Sequence, residues 1–232
     1  MTVLIVTGTG TDVGKTIATA AFAACAGGAI AVVKPAQTGV RDGAAGDLAE
    51  ITRLTGVTDV HEFVRYPDPL SPHHAAQVSG LPELALADAV QRIVDLDALH
   101  DLVLVEGAGG LLVPFTSTDR WTLVDLAASL RAPAVVVTDP GLGTLNHTAL
   151  TVGRLAEDGI ALAGIVLGRW PEDADLAMRC NLADIEAMGP VAGVLPAGMA
   201  AMRDFGKRAR AALSPRFGGR FQWPAFLAAN RV

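Results

Sequence analysis

Six apolar runs recur along this chain: Thr2–Thr7, Ala29–Lys34, Leu102–Glu106, Ala134–Thr138, Ala161–Gly168 and Val191–Leu195. Most are continuous rather than alternating, the pattern of strands covered on both faces. Between them lie helical stretches at Lys15–Ala26, Asp47–Thr55, Leu84–Leu96, Leu123–Leu130, Thr148–Gly159 and Asp175–Met188. Strand and helix alternating over the whole length predict an α/β fold, a doubly wound, mostly parallel sheet with helices on both faces. No repeat, linker or low-complexity stretch interrupts it. A chain of 232 residues that is 51% hydrophobic supports one large core, so residues 1–232 are expected to form a single domain. In such folds ligands gather at the carboxyl ends of the strands, and those ends carry the functional reading.

The first run feeds Gly8-Thr9-Gly10-Thr11-Asp12-Val13-Gly14-Lys15-Thr16 and then an Ala-rich helix. Glycines let the backbone curl until successive N–H groups point inward, and the helix N-terminus adds positive potential. Lys15 can reach outer phosphates, and the Thr16 hydroxyl can ligate Mg²⁺. The common spacing has a glycine where Thr9 stands, with Gly8 and Gly10 on either side. A plain Gly-rich turn is the alternative, but Gly-Lys-Thr between an apolar strand and a helix argues for a phosphate loop of the P-loop NTPase type, and for a nucleoside triphosphate.

Two further strand ends carry charge. Lys34 closes the second run, where a charged group resists burial; it reads equally as a snorkelling lysine or as a phosphate contact. Glu106 closes the third, followed by Gly107-Ala108-Gly109, and suits either a Mg²⁺ ligand facing the phosphate loop or a capping carboxylate. Asp47 opens a helix, as a first-turn acid or a third hard-oxygen ligand.

Other chemistries find less support. A net charge of −6 argues against a nucleic-acid partner. After Gly198, however, Arg203, Lys207, Arg208, Arg210, Arg216, Arg220 and Arg231 face only Asp204. Without interleaved aromatics this basic segment, residues 199–232, is read as a solvated helix face, and no role is assigned to it. Cys25 and Cys180 have no partners at metal-ligand spacing and are expected to be buried. The adjacent His73 and His74, with His61, His100 and His147 elsewhere, form no zinc pattern. Thr16–Val33 carries no charge, yet Gly27-Gly28 interrupt it and lysines bound it. It reads as a helix, a turn and a strand, not a membrane span. With no signal-peptide pattern at the start, the chain is expected to be soluble and cytoplasmic.

Taken together, Gly8–Thr16, Lys34-Pro35-Ala36-Gln37-Thr38-Gly39, Leu70-Ser71-Pro72-His73, Val105-Glu106-Gly107-Ala108-Gly109-Gly110 and Gly143-Thr144-Leu145-Asn146-His147 resemble the dethiobiotin synthetase family. The segments occur in family order through Leu195-Pro196-Ala197-Gly198, and the irregular glycine spacing is the form that family uses. The resemblance implies an ATP-dependent cyclo-ligase acting on 7,8-diaminononanoate and CO₂, through a carbamate and a carbamic–phosphoric anhydride.

Residue by residue, the resemblance implies that Lys34, aided by Lys15, is catalytic. Thr16, Asp47 and Glu106 would hold Mg²⁺. Thr11, Asp12, Val13, Gly14, Lys15, Thr16 and Ile17 would hold the phosphates, with Glu106, Gly107, Ala108 and Gly109 lining the nucleotide site. Thr38, Ser71 and Asp12 would face the substrate. The backbone of Leu142, Gly143, Thr144, Leu145 and Asn146 would hold its carboxylate across a homodimer interface. Pro196, Ala197 and Gly198 would wall the base. Gly168-Arg169-Trp170 stand where family members often place an adenine-reading Asn, so the base preference stays open. A partitioning-type switch would need a lysine where Gly10 stands, and a cobyrinate-type amidotransferase would need a glutaminase domain for which there is no room.

Overall fold

The computed structural model describes residues 2–231; Met1 and Val232, the ends of the expected single domain, lie outside them. Seven strands form one wholly parallel sheet in the order β3-β2-β4-β1-β5-β6-β7. They are β1 (Val3–Gly8), β2 (Ile30–Gln37), β3 (Val60–Arg65), β4 (Leu102–Glu106), β5 (Ala134–Thr138), β6 (Leu162–Trp170) and β7 (Val191–Pro196). The helices are α1 (Lys15–Cys25), α2 (Asp47–Thr55), α3 (Pro72–Ser79), α4 (Leu86–Asp97), α5 (Leu123–Leu130), α6 (Thr144–Glu157), α7 (Leu176–Met188), α8 (Phe205–Ala212) and α9 (Trp223–Asn230).

Continuous apolar strands bury both faces, and the side chains separate by parity. Val3, Ile5, Val103 and Val105 join Leu126 and Ala127 of α5 and Ile93 of α4 in one cluster. Leu4, Val6, Val32 and Leu104 join Ala18 and Phe22 of α1 and Ile51 of α2 in another, on the opposite face. A third cluster under β6 and β7 gathers Leu182 and Ile185 of α7 with Trp223. The chain reverses its direction of winding at β1, which lies between β4 and β5, so the loop after β1 opens at the switch point of the sheet.

The structure adds to the sequence reading in several places, among them helix α3, which follows Ser71 and was not expected. Strand β3 was not expected; its VHEFVR sequence mixes polar and apolar residues on a half-buried edge, with no continuous apolar run. Strand β2 runs past Lys34 to Gln37 despite Pro35. Its pairing with β4 ends at Val33, so the missing Pro35 N–H costs that ladder nothing, while β3 still pairs with Lys34, Ala36 and Gln37. Helix α6 begins at Thr144, a turn earlier than expected.

The basic C-terminal segment folds. Phe205, Ala209 and Ala212 of α8 are buried with α1, and Phe217 meets the Phe22 ring edge-on at 4.9 Å. The cysteines depart from expectation: Cys180 is exposed on α7 and Cys25 is only partly covered, because helix face rather than residue type decides burial there. Among the described residues no helix is long and apolar enough to cross a membrane, and the uncharged Thr16–Val33 stretch divides between α1 and β2.

Candidate active site

The register of the sheet builds the site. Val33 pairs with Val105, and Val6 pairs with Glu106, so the last residues of β2 and β4 stand beside the loop that follows β1. Lys34 and Glu106 share the parity of Val32 and Leu104 and therefore point to the α1 face. There they meet the first turn of α1. The Lys34 ammonium, 4% exposed, lies 2.7 Å from Glu106 Oε1 and 2.6 Å from Asp47 Oδ2, and donates to the Gly107 carbonyl at 3.1 Å. The Thr16 hydroxyl donates to Glu106 Oε1 at 2.9 Å. Asp47 is steered by Gln37, whose Oε1 accepts from the Asp47 N–H at 2.9 Å.

The phosphate loop has the conformation its sequence suggests. Asp12 and Gly14 both adopt positive φ, 58° and 97°, and α1 starts directly after Gly14 without a side-chain cap, leaving its first amides free to face a ligand. A Cβ on Gly14 would stand 2.8 Å from the Gly168 carbonyl, and one on Gly168 would stand 1.9 Å from the Val13 carbonyl. The end of β6 thus packs backbone to backbone against the loop. An adenine-reading side chain has no space at Gly168. Arg169 reaches over and donates to the Asp12 carbonyl at 3.0 Å.

Electrostatics divide the two lysines. Burial lowers the Lys15 pKa to about 8, helped by repulsion from Lys34 and opposed by Glu106, Asp47 and Asp12. Its ammonium donates to the Gly10 carbonyl at 2.7 Å. Burial also works against the charged form of Lys34, but Glu106 and Asp47 outweigh it and hold its pKa above the ordinary value. Burial pushes the Asp47 carboxyl up; Lys34 outweighs that and holds it below the usual range. At neutral pH a charged lysine is therefore held between two carboxylates.

Around this centre opens a cavity of about 620 Å³. It is lined by Thr11, Asp12, Gly14, Lys15, Thr16, Lys34, Thr38, Asp47, Glu106, Ala108, Gly109 and Arg169, with Ala36 and Gln37, which sequence reasoning missed. The missed pair lies on the part of β2 beyond Pro35; the polar Gln37 so close to Lys34 was the available signal. A second cavity of about 490 Å³ shares Thr11, Thr38, Ala108 and Gly109 and adds Ser71 with Pro69, Leu70 and Val113. A cavity lined by Lys15, Lys34, Arg169 and the loop backbone therefore adjoins one with an apolar wall.

Other expected residues lie outside these walls. Val13 is buried in the core beside α1, Ile17 packs against the same cluster, and Gly107 offers its carbonyl to Lys34. Pro196 ends β7, Ala197 follows it with its N–H bonded to the Trp170 carbonyl at 2.7 Å, and Gly198 leads into a 3₁₀ turn; none lines the large cavity. Leu142, Gly143, Thr144, Leu145 and Asn146 line neither cavity of their own chain, and Leu142 is 91% exposed. Among the described residues no three His, Cys, Asp or Glu side chains gather as a metal cluster. The hard oxygens here are two carboxylates and a threonine hydroxyl.

Comparisons with known proteins agree with this geometry. A profile of the AAA domain family matches residues 2–199. Among solved structures, the septum site-determining protein MinD complexed with Mg-ADP from Pyrococcus horikoshii OT3 superposes with a TM-score of 0.53 at 14% identity, over 99% of this chain and 93% of that one. The MinC:MinD complex of Aquifex aeolicus gives 0.53 at 14% identity, over 90% and 86%. At such identity these matches speak for the P-loop NTPase fold alone. Curated relatives are far nearer in sequence. The ATP-dependent dethiobiotin synthetase BioD of Rhodococcus jostii is 59% identical over 85% of this chain and 87% of its own. That of Frankia casuarinae is 54% identical over 98% of both chains. Likeness at that level runs through strands, helices and C-terminal segment and is not confined to a phosphate loop; the chain belongs to the dethiobiotin synthetase family.

Proposed function

We propose that the chain is an ATP-dependent ligase that makes dethiobiotin from 7,8-diaminononanoate and CO₂, with the cavity at the ends of β1, β2 and β4 as its active site. The observation that carries this reading is the buried, charged Lys34 held between Asp47 and Glu106 beside the phosphate loop. A carbamate and a triphosphate are both anions, and bringing them together calls for fixed positive charge and positioning.

The loop amides from Thr11 to Thr16 and the Lys15 ammonium cradle the phosphates. Lys34 faces the γ-phosphate and the carbamate formed from one amine and CO₂. The carbamate oxygen attacks the γ-phosphorus and ADP leaves. The second amine then attacks the carbamoyl carbon, closes the ring and expels phosphate. Arg169 and the backbone of Gly168 and of Pro196–Gly198 bound the remainder of the nucleotide. Thr38, Ser71 and Asp12 face the diamine, whose alkyl chain suits the apolar wall of the second cavity.

Mg²⁺ fits this donor set. Thr16, Asp47 and Glu106 supply hard oxygens, and Glu106 Oε2 is buried without a hydrogen-bond partner. When bound, the ion neutralises phosphate charge. The active form is a homodimer in which Leu142–Asn146 of one protomer completes the partner's site, which accounts for their position away from both cavities of their own chain.

Turnover with the diamine, bicarbonate and MgATP tests the reading. Phosphate released only when the diamine is present is the expected result; equal release without it points to a nucleotide switch of the partitioning type. Running CTP and GTP beside ATP reads how far a site without a base-reading side chain at residue 168 discriminates.

A further inference from the structure

Four threonine hydroxyls meet behind the phosphate loop. Thr138, fully buried at the end of β5, places its Oγ1 2.7 Å from Thr144 Oγ1 and 2.8 Å from Thr148 Oγ1, both on α6. It also lies 3.3 Å from Thr9 Oγ1, at the start of the phosphate loop. The Asp139 carbonyl, at 3.5 Å, is a fourth partner, one more than a hydroxyl that donates one hydrogen bond and accepts two can serve, so the short pair to α6 takes precedence over the long contacts.

Helical threonines often satisfy themselves on the carbonyl one turn back, and this chain does so elsewhere: the hydroxyls of buried Thr19, half-buried Thr55 and half-buried Thr151 donate to the carbonyls of Lys15, Ile51 and His147. Thr148 instead turns to Thr138, with Thr144 at 3.3 Å beside it. The first turn of α6 therefore hangs on a side chain of the sheet. It has no side-chain cap of its own, and the helix is entered through Gly143 at φ 91°.

We propose that Thr138 is a positioning residue of the reaction: its hydroxyl fixes where the N-terminal turn of α6 stands relative to the phosphate loop. This rests on the reading that Leu142–Asn146 holds the substrate carboxylate. The contacts to α6 are short and the one to Thr9 is long. The loop is also tied by its own backbone, the Thr9 N–H donating to the Val137 carbonyl at 3.0 Å. Loss of the hydroxyl is thus felt by α6 more than by the loop.

Thr138→Val keeps the shape and removes the hydrogen bonds; Thr138→Ser keeps the hydroxyl and removes a methyl. The expected result is a KM for the diamine raised about tenfold in Thr138→Val, since small misplacements of a binding group are amplified in turnover. Nucleotide Kd should change less than about threefold, and Thr138→Ser should restore most of the loss. Amide hydrogen exchange gives the same test without substrate: residues 143–148 should exchange faster in Thr138→Val, residues 9–15 much less.

Equal changes in diamine KM and nucleotide Kd, a Thr138→Ser variant as impaired as Thr138→Val, or unchanged exchange at the start of α6 would each overturn the proposal. If the wild type fails to turn over the diamine, the functional reading fails, and hydrogen exchange still decides the role of Thr138.

Discussion

Lys34 concentrates the problem of this site in one side chain. Its charge is buried, and it persists because two carboxylates outweigh the desolvation. Lys34→Ala removes a cation that, in the proposed reaction, faces the reacting groups, while leaving the loop and Lys15 in place. Turnover should fall by roughly a hundredfold or more, as for the loss of one preorganised electrostatic contact. Nucleotide affinity, measured by titration, should change less than about tenfold; near-normal turnover would remove Lys34 from the mechanism. The variant also leaves Glu106 buried without its cation, a change that costs about 3–5 kcal/mol in comparable pairs, so its thermal unfolding midpoint should drop as well. His100 shows the opposite balance, away from the site. Its Nδ1 lies 2.7 Å from the Leu96 carbonyl and its Nε2 2.8 Å from the Asp59 carboxylate, and only a protonated ring donates to both. The Leu96 carbonyl, then Asp59, raise its pKa above 6.5 against the effect of burial. A raised folded-state pKa gives stability that is fully present below 6.5 and lost as pH rises through the folded value. The gap in melting temperature between wild type and His100→Asn should therefore be wider at about pH 5.5 than at about pH 8.5. A gap that does not narrow would mean that the ring is neutral in the folded protein. Lys34 and Glu106 were legible because a charged group ending an apolar run is rare, and Thr16 because it closes Gly-Lys-Thr between a strand and a helix. The pairing of His100 with Asp59, a helix-end histidine with an acid before a strand, depends on two chain segments meeting and has no local signature.

At the scale of elements, the phosphate loop is shaped as much by β6 as by its own glycines. Gly168 and Gly14 let two backbones touch, and a methyl at residue 168 would also meet Val137 Cγ1 at 2.9 Å. Gly168→Ala must displace the loop, an overpacking worth about 1–3 kcal/mol. Carried by the loop, that strain should weaken nucleotide binding by about ten- to a hundredfold in a fluorescence titration, with the circular dichroism of the fold retained. Unchanged affinity would mean that β6, not the loop, gives way. The contact joins elements 150 residues apart, so the sequence offered Gly168 only as a missing side chain and not as a packing requirement. The same limit explains the missed strand and helices. Strand β3 lies at a sheet edge and mixes polar with apolar residues, so it lacks the continuous run that marked the other strands. The second apolar run ends at Lys34, and only the register with β4 shows how β2 continues through Pro35 to Gln37. Helices α8 and α9 escape the sequence reading although α5, equally short, does not: they fold by covering α1 and α7, and contacts between distant segments have no local signature.

At the scale of the whole molecule, one chain holds a phosphate cavity and an apolar-walled neighbour but keeps Leu142–Asn146 away from both. Around α6 the surface is unusually apolar: Leu142, Leu150 and Leu112 are 91%, 65% and 51% exposed, and Leu112 and Leu150 border a shallow cavity with Gly10 and His147. Large exposed apolar side chains grouped beside a functional loop are typical of an association surface. A second copy seated there would cover the leucines and deliver its own α6 turn to the open side of the first cavity, so that one surface serves both assembly and substrate binding. Leu150→Arg tests this arrangement. A guanidinium on the covered face cannot be paired by an apolar partner surface, and the protein should sediment as a monomer at micromolar concentration. The loop amides and Lys15 keep their own contacts across the cavity that Leu150 borders, so nucleotide affinity should fall far less than turnover of the diamine. The kcat/KM for the diamine should fall by roughly a hundredfold, since the carboxylate would lose the partner's amides while the triphosphate keeps all of its own contacts. A monomeric variant that retains full activity would instead mean that each chain completes its own site, with α6 turning toward the cavity of the chain that carries it.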